Sequence, residues 1–502
     1  MERAGVTSEF SAATRRAPTS RSAKLASLLL FAGAAVAMVC TLLARLPLMK
    51  SPYQLDSVEG DVIYISSLAE QGRPLYPNPN QIPSIVSIYG PVTYYLMSVV
   101  LRAQGIGFAG SRALVLAWTG ATAALIALYL AKYSGSWLLG ITFAMAWLAN
   151  LHVSSWFYLA RVDLIGIGLS TAGLVLFALR PQRWYWSVPL FVAAWFTKIT
   201  LIAAAIACFT YLIYQRKYRV AAYYAASGLG LGLCALWAVE HYLGRWYLFD
   251  MFMGHRNPYH LTRALHFIGG AALHAWPFVA LSVIYAAVCL YTRRFSLPVA
   301  YLLICSFTIF SASSVTADTN HILEWVTAAY LCAGEAYAEL FRADRFPLGR
   351  LLFAATATAI LVILAVTVRF REARMESDLS LGTECSRAYS FIRDHGSNVL
   401  SADSGAMAIA GKQPLAVDID EYRYHGLSDE VLGNLLRRRG ADVIALRNPV
   451  EKTMATPEPG RAWSTEALDL VQRNYQVSAT FNCADISVVY EPRRSPVSDT
   501  TH

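Results

Sequence analysis

The chain has 502 residues, of which 56% are hydrophobic, 12% aromatic and only 15% charged, with a formal net charge of +9. A soluble fold has no use for so much apolar side chain, and the runs 25–46, 113–131 and 351–368 approach the length that crosses a bilayer. The positive charge does not point to nucleic acid, because the Lys and Arg residues sit in short loops between apolar runs.

Residues 1–24 form a basic leader with Arg15, Arg16, Arg21 and Lys24. The apolar run after it lacks a small-residue cleavage site and reads as an anchor, not a cleaved signal peptide. Membrane spans are expected near 25–46, 112–131, 137–156, 163–179, 184–197, 199–214, 221–240, 267–291, 297–313, 321–341 and 349–369, about eleven helices. Segment 88–104 is also apolar and begins Tyr89-Gly90-Pro91. It is expected to lie on the outer surface as an interfacial helix. Charge decides the matter. With the amino terminus inside and 88–104 on the surface, Lys132, Arg180, Arg183, Arg216, Lys217, Arg219, Arg293, Arg294, Arg342, Arg345 and Arg350 all fall on the inner side. Counting 88–104 as a span turns each of these groups outward, against the positive-inside rule.

The tail, 371–492, is charged and carries strand-like runs at 399–401, 415–417, 442–446 and 486–490, with a helical stretch at 428–439. It reads as a small extracytoplasmic α/β domain, and 493–502 as a disordered end. Cys385 and Cys483 lie in this tail and can pair if it occupies an oxidising compartment. The expected fold class is therefore mainly α: a polytopic transmembrane helical bundle over 25–370, with a small C-terminal external α/β domain.

This topology puts a scattered set of polar residues on one side of the membrane. They are Asp56, Glu59, Asp61, Arg161, Asp163, Lys198, Asp318, His321 and Glu324, joined by segment 242–266 with Asp250, His255, Arg256, Asn257 and His260. Charges at a hydrocarbon boundary are costly unless they face a cavity or a partner, so they mark a site by default. Asp56, Glu59 and Asp61 can supply a general base toward a hydroxyl or amine; the plain reading is a solvated acidic loop with Asp56 as a helix cap. Arg161 can hold a phosphate bidentately, or it is a snorkelling side chain beside an N-cap Asp163. Lys198, inside the apolar stretch 188–214, must face a turn, a cavity or an anion. His321 and Glu324 share a helix face, with Asn320 just above. They can contact sugar hydroxyls, orient a base or hold a metal, or simply form a buried hydrogen-bonded pair.

Together these features resemble the GT-C superfamily, the multi-spanning glycosyltransferases that use polyprenyl-phosphate-linked sugars. The resemblance is closest to bacterial relatives of protein O-mannosyltransferases and lipid A aminoarabinose transferases. It is carried by the acidic first external loop, Tyr89-Gly90-Pro91, Ala160-Arg161-Val162-Asp163, Thr197-Lys198 and Asn320-His321-x-x-Glu324, and covers residues 25–370. Two departures stand out. Many relatives have an adjacent Asp-Glu pair in the first loop, whereas here the acids are spaced, which divides the base between Asp56 and Asp61. Gly90 takes the place of the first proline in the usual Tyr-Pro-Pro.

The resemblance implies a sugar transfer from a polyprenyl-phosphate donor to a hydroxyl or amine of a lipid, glycan or protein acceptor. The reaction would invert the anomeric centre on the extracytoplasmic side of a bacterial inner membrane. Asp56 is the expected base, with Glu59 or Asp61 positioning the acceptor. Arg161 and Lys198 would hold the donor phosphate. Tyr89, Asp163, Arg256, Asn320, His321 and Glu324 would contact substrate. No cofactor and no nucleic-acid partner is expected, and a divalent metal stays an open alternative. The rival reading is a polytopic transporter or a lipid flippase of envelope glycans.

Overall fold

Long apolar runs close their backbone hydrogen bonds within themselves, and this chain follows that rule. The structure is a computed structural model and describes residues 21–253, 259–314, 317–343, 347–369, 382–401, 403–417, 429–455, 463–483 and 486–493. Among these, three helices are long and apolar enough to cross a membrane: Lys24–Lys50, Phe108–Ser134 and Tyr218–Tyr242. Leu261–His274 and Trp276–Tyr291 meet the same test together but are bent by 102°. Shorter apolar helices, Trp137–Ala149, Asp163–Leu179, Ala203–Tyr214, Leu297–Ser313 and Ala354–Val366, accompany them.

Several expected spans are broken, each for a local reason. The 137–156 run divides at Asn150, whose Oδ1 accepts from the amides of His152 (2.9 Å) and Val153 (3.4 Å) and so caps a new helix, Leu151–Trp156. The 267–291 run turns at Ala275, and Pro277 sits in the first turn of the helix that follows, where its missing N–H costs nothing. The 184–197 run opens as a 3-10 turn, Pro181–Trp186, before the helix Ser187–Trp195. The 321–341 run likewise starts as a 3-10 turn, Thr319–Ile322, ahead of Leu323–Ala343. Segment 88–104 forms the helix Pro91–Gln104. It buries Tyr94, Met97 and Leu101 against the helix Glu59–Glu70 and leaves Tyr95 and Val99 exposed.

Residues 382–493 build a four-stranded mixed sheet of β1 (Val399–Ser401), β2 (Val443–Leu446), β3 (Tyr475–Thr480) and β4 (Val488–Pro492), in the order β1-β2-β4-β3. β1 and β2 are parallel, while β4 is antiparallel to both β2 and β3. The expected strand at 415–417 is only an isolated bridge, Ser84 with Ala416, with a second, Val399 with Pro414, just before it. β3 has no clear signal in the sequence, because its alternation is weak: Val477 is exposed and the register slips between Val477 and Ala479. Helices Gly382–Asp394, Asp429–Arg437 and Thr465–Asn474 belong to the same unit.

Cys385 and Cys483 form a disulfide that closes 98 residues of chain. In the chain-entropy account such a loop contributes on the order of 4–5 kcal/mol. Cys483→Ser is therefore expected to lower the melting temperature by several degrees and to abolish the gel-mobility difference between oxidised and reduced protein. Identical mobility of the wild type with and without reductant would contradict the bond.

The sheet unit rests on the first polar loop. Gly60 and Gly405 approach so closely that a Cβ on Gly60 would lie 2.3 Å from the Gly405 nitrogen. Tyr389 Oη accepts from the Gln54 amide (3.1 Å) and donates to Asp403 Oδ2 (2.7 Å). The Ser84 amide donates to the Leu415 carbonyl at 2.9 Å, and the Val417 amide to the Ser84 carbonyl at 2.8 Å.

Candidate functional site

The site is assembled from loops tied to one buried ion pair. Glu59 opens its helix and Arg112 is the fifth residue of Phe108–Ser134, and both side chains are 0% exposed. Arg112 Nε donates to Glu59 Oε1 (2.9 Å) and Nη2 to Oε2 (2.7 Å). Its remaining donors reach the carbonyls of Leu48 (3.3 Å), Ser51 (2.7 Å) and Tyr53 (2.9 Å), so the whole guanidinium fork is used. Glu59 also accepts from the amides of Leu55 (2.7 Å) and Ala160 (2.5 Å). The loop after the first helix and the junction before Arg161 are thereby fastened to the same carboxylate. Asp56 and Arg161 each follow one of those tied residues.

Asp56 Oδ1 accepts from Arg161 Nη1 at 2.5 Å and from the Val58 amide at 3.2 Å. A fifth of the Asp56 side chain (20%) stays exposed. Burial pushes its carboxyl above the usual carboxylate range, and the neighbouring Arg161 opposes that without cancelling it. Arg161 is held over the Trp156 ring (5.1 Å to the centroid) and the Tyr89 ring (5.9 Å), and donates to Tyr89 Oη at 3.2 Å. Its Nε lies 3.6 Å from Asp163 Oδ2. Asp163 Oδ1 in turn accepts from Lys198 Nζ (2.6 Å) and Asn320 Nδ2 (3.0 Å). The result is a chain of alternating sign, Asp56–Arg161–Asp163–Lys198. Among the described residues, Asp163 Oδ2 and Asn320 Oδ1 have no hydrogen-bond donor.

Lys198 is placed by a turn between Ser187–Trp195 and Ala203–Tyr214, in which its amide bonds back to the Ala194 carbonyl (3.0 Å). The same turn explains Gly90. The Gly90 amide donates to the Thr197 carbonyl at 3.2 Å, which a proline cannot do, and a Cβ there would meet the Phe196 carbonyl oxygen at 1.8 Å.

A narrow cleft, part of it open to the outside, is lined by Asp163, Lys198, Ser311, Asn320, His321 and Glu324 among others. Tyr301 Oη donates to Glu324 Oε1 at 3.2 Å, and Ser311 Oγ lies 3.0 Å from His321 Nδ1. This cleft offers hydroxyl, amide, imidazole and carboxyl groups beside a buried cation, which suits a polar, anionic ligand.

The expected residues sort into three groups. Asp56, Tyr89, Arg161, Asp163, Lys198 and Asn320 form one connected network, and His321 and Glu324 line the adjoining cleft. Glu59, grouped by the sequence with the acids that act on the acceptor, is instead fully engaged by Arg112 and two amides behind the loop. Asp61, buried within electrostatic reach of Tyr94, lies two residues along the helix and so on a different face from Glu59. Arg256 falls outside the described residues. No group of three or more His, Cys, Asp and Glu among the described residues is placed to hold a metal ion. Arg112, Tyr301 and Ser311 are absent from the sequence expectation. Arg112 had a signal: an arginine at the outer end of a span runs against the charge bias. Tyr301 and Ser311 sit in an apolar run and had none.

No protein-family model and no curated protein matches this sequence. Solved structures do match by fold. ArnT from Cupriavidus metallidurans bound to undecaprenyl phosphate aligns with a TM-score of 0.62 over 93% of this chain and 98% of that one, at 12% identity. The archaeal oligosaccharyltransferase AglB from Archaeoglobus fulgidus, in complex with an inhibitory peptide and a dolichol-phosphate, aligns with a TM-score of 0.51 over 93% of this chain and 75% of that one, at 13% identity. The chain therefore shares its overall fold with these two structures.

Proposed function

We propose that this protein is a multi-pass membrane glycosyltransferase that moves a sugar from a polyprenyl-phosphate donor to an acceptor hydroxyl or amine on the extracytoplasmic face. The observation that carries the reading is the Asp56–Arg161–Asp163–Lys198 chain at the edge of a polar cleft. The fold likeness to proteins solved with undecaprenyl phosphate and with a dolichol-phosphate supports the donor class. The Cys385–Cys483 bond supports an oxidising compartment for the 371–492 unit. With about eleven spans and the amino terminus inside, that unit stands outside the bacterial inner membrane.

The chemistry follows from the charges. In the donor, phosphate is already bonded to the anomeric carbon and leaves without a general acid. Asp56 takes the proton of the acceptor O–H or N–H as that atom bonds to the anomeric carbon. The carbon–oxygen bond to phosphate breaks on the opposite face, so the anomeric configuration inverts. The negative charge gathering on the departing polyprenyl phosphate is met by Lys198 and Arg161, which are already in place and need no reorganisation. Asp163 positions both cations. Tyr89 and Trp156 restrain the Arg161 plane. Asn320, His321, Glu324 and Tyr301 contact the sugar, and Glu59 with Arg112 fixes the loop that carries the base.

Transfer of labelled sugar from a synthetic polyprenyl-phosphate donor by protein in vesicles tests this reading. Lys198→Ala is expected to lower kcat/KM for the donor roughly 10²- to 10³-fold, with the acceptor KM unmoved. Donor kinetics equal to wild type would remove Lys198 from the phosphate site.

A further inference from the structure

A second cleft lies where the 382–493 unit meets the first polar loop, enclosing about 580 Å³ of space that is partly open. One side is the helix Gly382–Asp394, which turns Ser386, Tyr389, Ser390 and Arg393 toward it; the spacing i, i+3, i+4, i+7 puts all four on one face. The other side is apolar, formed by Pro52, Tyr53, Ala406, Ile409 and Ala410. Neither the Ser386 nor the Ser390 hydroxyl bonds to protein among the described residues, although helical serines commonly bond back to the preceding turn. Arg393 stands at the exposed rim, paired with Asp394 at 3.1 Å.

The walls are fixed rather than loose. Tyr389 is held between the Gln54 amide and Asp403 Oδ2, and the Tyr53 carbonyl by Arg112 Nη2. The Cys385–Cys483 bond anchors the start of the serine-bearing helix. The Ser404–Ala410 helix docks through Gly405 against Gly60. Tyr53 is three residues from Asp56 on the same tethered loop, so this cleft and the base share one rigid support.

We propose that this cleft is an acceptor-side saccharide subsite, holding a sugar ring of the acceptor while Asp56 acts on another part of it. The chemistry is that of a ring with one apolar face and a fringe of hydroxyls. Pro52, Tyr53 and Ile409 give an apolar wall, and Ser386 and Ser390 give hydroxyl partners across from it. A saccharide here gives the 382–493 unit a function in choosing the acceptor, and the inference rests on the glycosyl-transfer reading for that role.

Saturation-transfer NMR tests it, with the full-length protein in nanodiscs and methyl β-glucoside as the probe. Transfer to the probe's ring protons is expected in wild type. It should persist in Asp56→Asn and Lys198→Ala and weaken roughly tenfold in Ser390→Trp, which fills the cleft. A retained Cys385–Cys483 gel shift and an unchanged melting temperature report that Ser390→Trp is folded. If it is not, Ser386→Ala/Ser390→Ala decides, with at least a threefold loss expected at about that level. No signal in wild type, or an equal signal in the folded cleft variant, overturns the subsite. Persistence in Asp56→Asn separates this outcome from the transfer reading, which stands or falls on turnover.

Discussion

Asp56→Asn is expected to reduce sugar transfer by roughly 10²- to 10⁴-fold while the protein stays folded and donor binding survives. The amide keeps an oxygen that can accept from Arg161, and Arg161 keeps its contacts with Asp163 and Tyr89, so the change removes basicity more than architecture. The pH profile of the wild type carries the same information. A carboxylate base works only when deprotonated, so the rate rises with pH through the Asp56 pKa. Burial raises that pKa, so the acid limb is expected above the region near 3.9 where a free aspartate would place it. In Asp56→Asn the residual rate should lose that limb. A variant retaining wild-type turnover would remove Asp56 from the chemistry.

Arg112→Ala is expected to be the most disruptive single change to the fold. It strands the Glu59 carboxylate, which is 0% exposed and would be left with two amide donors and no counter-charge. Removing one member of a buried pair costs about 3–5 kcal/mol. The same substitution releases the carbonyls of Leu48, Ser51 and Tyr53, all in the stretch that leads to Asp56. Thermal denaturation in detergent should show a melting temperature lowered by several degrees or a loss of folded protein. Glu59→Leu/Arg112→Met should regain part of the stability, because both charges leave together, but not the activity, because the loop loses its ties. Arg112→Ala melting with the wild type would show that the pair does not brace the site.

Most of the candidate site was legible because burial of charge in an apolar chain is itself a signal. Asp56, Arg161, Asp163 and Lys198 each interrupt or border a hydrophobic run, and the folded chain links their side chains. Their connection was not legible, since Asp56 and Arg161 lie more than a hundred residues apart and only the folded chain joins them. Glu59 illustrates the limit. Its position beside Asp56 groups it with the acids of the site, whereas its pairing with Arg112, more than fifty residues along the chain, exists only in the fold. Helix breaks at Asn150 and Ala275 were hidden as well, because apolar composition continues through them while side-chain capping and a proline end the hydrogen-bond ladder. β3 escaped because a strand with an exposed Val477 and a register slip carries little period-two pattern.

The central claim is that Asp56 drives transfer of a lipid-linked sugar outside the membrane. Mass spectrometry of envelope glycans and glycolipids tests it most directly, comparing cells that carry the wild-type gene, Asp56→Ala, or no gene. The account predicts a species heavier by one sugar residue in wild type and its absence from both other strains. Its presence at wild-type level in the Asp56→Ala strain, with the protein shown to be expressed, would contradict the account.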